Sequence, residues 1–381
     1  MTEKDYYSKQ IITYLGNKRK FISKIDDVIG KVKQELGVEK INIGEGFSGS
    51  GVVSRLFKNR VKGGKFYVND LSSYSKILNE CYLTDVDEFS KNELMYLQNT
   101  LETMKKYVKI NNTYEPFISK YWAPEDDNNI LPGERVYFSR ENAVMIDKIM
   151  YYIKNNIGKE YQKYFIGPLI VQASTNNNTN GQFSAYFKDE KKEKGKFGGK
   201  NSIDLQRILR PIEPMLPILT NGKADIKISQ NDANDWIKTT GELDLVYYDP
   251  PYNKHPYNIY YFLLDIISNW NVDLKIPDTY RGQPKNWKKS GYCSLKKAKD
   301  TFKDLISNTN SKFIMISYNS TGIIPLEEMD AILREKGKVE KIPFEHNTYN
   351  RYVGIAKKKR EKKEEKIKEF IWLVDCRKKI E

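Results

Sequence analysis

A short β-branched run that breaks into glycines and then into a helix constrains this chain more than any other feature. Ile41 to Gly44 leads into Glu45-Gly46-Phe47-Ser48-Gly49-Ser50-Gly51, and Val52 to Lys58 follows with helical patterning. A second run, Lys65 to Asn69, ends at Asp70 and opens onto a stretch in which Leu71, Tyr74, Ile77, Leu78 and Cys81 share one helical face. Two strand-loop-helix units in tandem predict a parallel α/β sheet, because parallel strands need crossovers that lie on the sheet's faces. The glycine loop falls where such sheets hold ligands, at the C-terminal end of a strand.

From about Asp85 to Leu219 the alternation stops and mainly helical patterns take over, Glu141 to Ile153 among them. An Asn-rich stretch (Ser174 to Gly181) and a Lys/Gly-rich stretch (Lys188 to Lys200) read as loops too polar and flexible for a packed core. Strand-like runs return at Ala224 to Ser229, Leu243 to Tyr248 and Lys312 to Ser317. Val339 to Phe344 and Phe370 to Val374 then predict a closing antiparallel pair around a charged connector, Lys357 to Lys368. The chain of 381 residues thus divides into a core in two parts, 1–110 and 220–381, and an insertion, 111–219.

The 64 Lys and Arg exceed the 50 Asp and Glu by 14 charges, which favours a polyanionic partner such as nucleic acid. The chain is also rich in Lys, Asn, Ile and Tyr, so charge alone does not decide the matter. No apolar run approaches the ~20 residues of a membrane span, and Met1 to Gln10 is polar, which leads us to expect a cytoplasmic protein without a membrane partner. Cys81, Cys293 and Cys376 are far apart, and His255 and His346 complete no zinc spacing with them, so no metal is expected.

The sharpest chemical signal is Asp249-Pro250-Pro251-Tyr252, immediately after the strand-like Leu243 to Tyr248. Two prolines remove two backbone donors and stiffen the turn, so the Asp249 carboxylate and nearby carbonyls are presented as acceptors. Such a site suits an amino group. The bland reading is a strand-ending turn with Tyr252 on the core, but the glycine loop at another strand end suggests two substrates. Gly44 to Gly49 is also a literal G-x-G-x-x-G with Asp70 about 20 residues on, as in nicotinamide enzymes. That reading leaves Asp-Pro-Pro-Tyr without a role. None of the three cysteines follows a proline, so the chain carries no Pro-Cys nucleophile.

In these segments the chain resembles the Dam-like, alpha-ordered adenine-N6 DNA methyltransferases. Tyr14-Leu15-Gly16-Asn17-Lys18 is similar to that family's N-terminal cofactor segment, and Glu45 to Gly51 to its acidic-Pro-Phe-x-Gly-x-Gly loop, with Gly46 replacing the proline. Asp70 takes its acidic position after the second strand, and Asp249 to Tyr252 its Asp-Pro-Pro-Tyr motif. Tyr257 to Leu264 and Ser317 to Ser320 look similar too, and the order of segments around a long insertion is that of the alpha group.

The resemblance implies a Rossmann-like S-adenosylmethionine methyltransferase sheet, mostly parallel with one antiparallel strand, carrying an inserted, mainly helical target-recognition domain. It implies double-stranded DNA as partner, with a separately encoded cognate restriction endonuclease as a further expectation. Tyr14, Gly16, Lys18, Glu45, Phe47, Gly49, Gly51, Asp70 and Asp232 would bind cofactor. Gly49 and Gly51 admit the methionine part with Phe47 beside it, and Asp70 accepts from the ribose hydroxyls. Asp232 would contact the cofactor adenine, although Asn231 to Asn234 is also a generic turn. Lys18 pairs with a carboxylate, of the cofactor or of Glu45. Asp249 and Pro250 would hold the target amino group, with Tyr252 stacking on the flipped base. In the insertion, Asn180 and Gln182, with Asn176, are candidate base readers, and Lys188, Lys196, Lys200, Arg207 and Arg210 candidate DNA contacts. Amino methylation of cytosine N4, RNA adenine or a protein amide, and a catalytically silent DNA-binding relative, are the alternatives.

Overall fold

The computed structural model describes residue 6 and residues 12–61, 63–111, 113–189, 193–199, 202, 204–285, 289–347 and 366–378. Strands β1 (Ile43–Glu45) and β2 (Lys65–Asn69) open the main sheet, and β3 (Lys188–Asp189) and β4 (Lys194–Gly195) form a small separate hairpin. β5 (Asp225–Ser229), β6 (Leu243–Tyr248), β7 (Ser311–Asn319), β8 (Lys338–Asn347) and β9 (Lys366–Asp375) complete it in the order β5-β2-β1-β6-β7-β9-β8. β1 pairs parallel with both β2 and β6, β2 with β5, and β6 with β7. β9 runs antiparallel to β7 and to β8, so it alone points against the rest. This is the expected mostly parallel sheet with one reversed strand. The expected closing pair is β8 and β9, while 357–365 of its connector lie outside the described residues.

Strand alternation sorts the side chains into two layers. Leu245 and Tyr247 of β6 and Phe313 and Met315 of β7 face the helices Ile22–Leu36 and Val52–Val61. Val246 and Tyr248, with Ile314, Ile316 and Tyr318, face Trp236 and the helices Ala298–Asn308 and Leu326–Arg334. The short apolar runs thus read as strands because both faces are covered.

A third cluster joins the helices Lys91–Ile110, Arg140–Asn156 and Lys159–Thr175 to Tyr74, Leu78 and Cys81 of the helix Ser73–Tyr82 and to Tyr260–Ile267 of the helix Tyr257–Asn269. Leu71, expected on the face with Tyr74 and Cys81, precedes that helix and lines a cleft at the strand ends instead. The chain leaves the sheet at Thr84-Asp85 and returns at Thr220, and one buried cation ties the two points together. Lys58 Nζ lies 2.7 Å from Asp85 Oδ1 and donates to the Thr84 and Thr220 carbonyls at 3.1 and 2.8 Å. Asp85 also accepts from the amides of Gly222 and Lys223.

Two loop expectations are corrected. Asn176, Asn177, Asn178 and Thr179 are buried. Their amides act as backbone partners: Asn178 donates to the Val136 and Lys196 carbonyls, both at 2.8 Å, Asn177 to Ala173 at 2.8 Å and Asn176 to Arg210 at 3.1 Å. Satisfied amides enter a core at little cost, which composition alone hides. Part of the Lys188 to Lys200 stretch is the β3-β4 hairpin, fastened by Lys194 Nζ to the Ile130 carbonyl at 2.8 Å. Lys200 lies outside the described residues. Among the described residues no helix is long and apolar enough to cross a membrane, and no group of three or more His, Cys, Asp or Glu is placed to hold a metal ion.

Candidate active site

The C-terminal ends of β1, β2, β5 and β6 open onto one cleft of about 940 Å3, part of it continuous with solvent. Of the candidate residues, Tyr14, Gly16, Lys18, Glu45, Phe47, Gly49, Asp70, Asp232 and Asp249 line it. Gly51, Pro250 and Tyr252 flank them in sequence.

The glycine loop is fixed from below. Ser48 N donates to the Asn69 carbonyl at 3.0 Å, and Gly49 N donates to Asp70 Oδ2 at 2.8 Å. Gly49 has φ +50°, and an added methyl would lie 2.8 Å from the Tyr14 ring. Asp70 also accepts from Ser72 N at 2.9 Å, so its carboxylate is oriented yet keeps lone pairs for a hydroxyl-bearing ligand. Burial raises its pKa, opposed by those backbone amides. Glu45 is 1% exposed and accepts from Ser54 Oγ at 2.6 Å. Burial pushes its carboxyl up to about 8, the Ser54 hydroxyl opposing and Asp70 adding to the rise. Where the family carries proline, an added methyl on Gly46 would lie 2.8 Å from the Tyr248 ring, so Tyr248 fills that space here.

The N-terminal segment is clamped over the cleft by tyrosines. The Tyr14 ring stacks on Tyr261 at 4.9 Å and 15°, and Leu15 N donates to the Tyr261 hydroxyl at 2.6 Å. This places Lys18, with a side chain 4% exposed, beside the Asp-Pro-Pro turn: its ammonium lies 2.9 Å from Asp249 Oδ1 and 3.8 Å from Glu369 Oε2. Of the protein carboxylates, Asp249 and Glu369 take the place expected of Glu45 as the lysine's partner. Burial lowers its pKa, but the two carboxylates outweigh burial and hold it above the usual lysine range.

Apart from the Lys18 ammonium, the buried Asp249 Oδ1 meets no hydrogen-bond donor among the described residues. Burial pushes the Asp249 carboxyl up to about 6, Lys18 holds it down and Glu369 pushes it further up. Tyr252 is held edge-on by Tyr318 at 6.3 Å, and its carbonyl accepts from Ile323 N at 3.1 Å. Asp232 both lines the cleft and caps the turn Ala233–Trp236 by accepting from Asn234 N at 2.9 Å.

Sequence reasoning missed several neighbours. Tyr292 meets Phe47 edge-on at 5.1 Å and donates to Asn234 Oδ1 at 2.6 Å, while Ser290, Cys293 and Asn258 also line the cleft. Tyr257 and Tyr261 sat in a segment already matched to the family, but nothing in the sequence pointed to Glu369.

The DNA-side candidates do not gather in this way. Asn180 is half-buried and Gln182 buried, beside the Phe183 amide that donates to the Tyr260 carbonyl at 2.7 Å. Lys188, Lys196 and Arg210 are exposed, and Lys188 Nζ stands 3.7 Å from the Tyr280 ring centre. Arg207 turns inward, donating to the carbonyls of Thr175, of Asn177 at 3.0 Å and of Thr179 at 2.7 Å. Its guanidinium is occupied in holding the Asn-rich loop, contrary to the surface position expected of it.

Residues 14–332, which supply every strand end of the cleft, match the model of the D12 class N6 adenine-specific DNA methyltransferases. The chain belongs to that family. It is 26% identical over 344 residues to the type II methyltransferase M.NlaIII of Neisseria lactamica, covering 89% of this chain and 92% of that protein. It is 25% identical over 352 residues to M.CviAII of Paramecium bursaria Chlorella virus 1, covering 91% and 94%. A 28% match over 374 residues to M.FokI of Planomicrobium okeanokoites covers 95% of this chain and 52% of the relative, so this chain spans about half of M.FokI. As an adenine-specific DNA methyltransferase, the enzyme needs a methyl donor and an acceptor for the adenine amino group. The glycine loop, Asp70 and Asp249 all line the one cleft.

Proposed function

We propose that this D12 class enzyme moves the methyl group of S-adenosylmethionine to N6 of an adenine rotated out of double-stranded DNA. The observation that carries the reading is the Asp249 carboxylate, which lines the cleft just past the end of β6, its Oδ1 buried against the Lys18 ammonium and met by no other donor among the described residues. Bound S-adenosylmethionine supplies a methyl group activated on a sulfonium. The remaining work falls to the chain. Lys18 stands beside Asp249, while Glu45, Phe47, Gly49, Gly51, Asp70 and Asp232, with Tyr14 and Gly16, would hold the donor. Asp70 and Glu45 offer acceptors there, and the glycines let backbone approach.

An adenine amino group is a poor nucleophile because its lone pair is delocalised into the ring. Hydrogen bonds from that group to the Asp249 carboxylate and the Pro250 carbonyl favour a tetrahedral nitrogen whose lone pair points at the methyl. Alignment then does most of the remaining work. Asp249 need not be a strong base, since the proton leaves after the nitrogen becomes cationic. Tyr252 supplies the stacking surface for a base that has left the helix.

The segment 111–219 serves on this reading as the target-recognition domain, with Asn180, Gln182, Lys188, Lys196 and Arg210 toward DNA. The type II names of the relatives favour a cytoplasmic modification enzyme with a separately encoded endonuclease. Incubation of the purified enzyme with S-adenosylmethionine and duplex DNA, followed by nucleoside mass analysis, should give N6-methyladenine. N4-methylcytosine in its place would overturn the choice of base.

A further inference from the structure

Lys18 is the one lysine or arginine among the described residues lining the cleft, and it is shared by two carboxylates from distant parts of the chain. Asp249 comes from the turn after β6. Glu369 comes from β9, the reversed strand, where it pairs in register with Asn319 of β7 and Phe344 of β8. Glu369 also lies beyond residue 332, where the family match ends. Its side chain is 12% exposed.

A buried ammonium is costly to leave unpaired. Had Lys18 only Asp249, the arrival of an adenine amino group at Oδ1 would either strand the cation or be blocked by it. A second carboxylate 3.8 Å away removes that conflict. We propose that Glu369 is a positioning residue for methyl transfer, keeping Lys18 anchored while Asp249 Oδ1 turns to the target amino group. This rests on Asp249 being the amino acceptor.

The groups around the triad are Tyr252 on the β6 turn, Tyr247 on β6, Tyr257 on the next helix, and Glu45 and Asp70 at the ends of β1 and β2. All of these are acidic or neutral, and among the described residues Lys18 is the one cation that lines the cleft. Removing the Glu369 charge leaves Lys18 wholly on Asp249, which blocks Oδ1 and makes the carboxylate harder to protonate.

The test is Glu369→Gln in the full chain, alone and combined with Lys18→Met. Single-turnover transfer to duplex DNA is followed across pH, and the Asp249 carboxyl is titrated by carbon-13 NMR in the unloaded protein, assigned with Asp249→Asn. E369Q should transfer about tenfold more slowly, with S-adenosylmethionine affinity kept within about threefold. Both the acid limb and the carbon-13 titration should move to lower pH by about half a pH unit or more. On a Lys18→Met background the same change should add less than about twofold, because the effect passes through Lys18. An unshifted titration with wild-type rate, or an equal loss in both backgrounds, overturns the proposal. If E369Q does not fold, Glu369→Asp replaces it: a slower enzyme with the wild-type acid limb supports the role, and an unchanged rate overturns it. Wild-type enzyme that makes no N6-methyladenine would instead overturn the functional reading, and this inference with it.

Discussion

Gly16 has φ +74°, and an added methyl would lie 2.3 Å from the Tyr252 hydroxyl, on the residue that would stack on the target base. Gly16→Ala should therefore cost about 1 to 3 kcal/mol of backbone strain and displace Tyr252. We expect kcat/KM for DNA to fall at least about tenfold, measured by steady-state methylation, while donor affinity changes less. Wild-type kinetics would show that Tyr252 needs no such support. Charge state gives a second prediction. Asp249 accepts most strongly when ionised, and burial raises its carboxyl to about 6. The single-turnover rate should climb as pH rises through about 6 and level off above it. Lys18, held above the usual lysine range, stays charged across that window. A rate flat down to pH 5 would contradict the acceptor role.

At the scale of elements, Arg207 is a loop fastener, bonded to three carbonyls of the stretch it holds. Arg207→Ala should lower stability by about 2 kcal/mol, read from the urea midpoint. Unchanged stability with weakened DNA binding would return it to the DNA surface. The strands β1, β2 and β6 were legible because their short runs break into Gly44, Asp70 and Asp249-Pro250, and Leu243–Tyr248 matches its expected limits. The cleft was legible for a related reason, since Glu45, Asp70 and Asp249 each follow or end such a run. The Asn-rich stretch was misread because side-chain amides bonded to backbone carbonyls look in sequence like solvent-facing ones. Glu369 was illegible because it meets Lys18 only through the order β6-β7-β9, and neither residue carries a motif that names the other.

Over the whole molecule, an excess of 14 positive charges coexists with a cleft that gathers carboxylates around one ammonium. On the proposed reading, the positive charge that meets phosphate lies on outer surfaces such as the exposed Lys188 and Lys196. Replacing both by Gln should weaken binding to all duplex sequences alike and reduce the slope of log affinity against log salt by up to about 0.9 for each phosphate that is no longer neutralised. An unchanged slope would remove that hairpin region from the DNA surface. The central claim, that Asp249 receives the adenine amino group, is tested most directly by Asp249→Ala, with single-turnover transfer and calorimetry of S-adenosylmethionine measured on the same preparation. Transfer of methyl to N6 should fall about 100-fold or more while donor affinity stays within about tenfold; near-wild-type transfer would contradict the account.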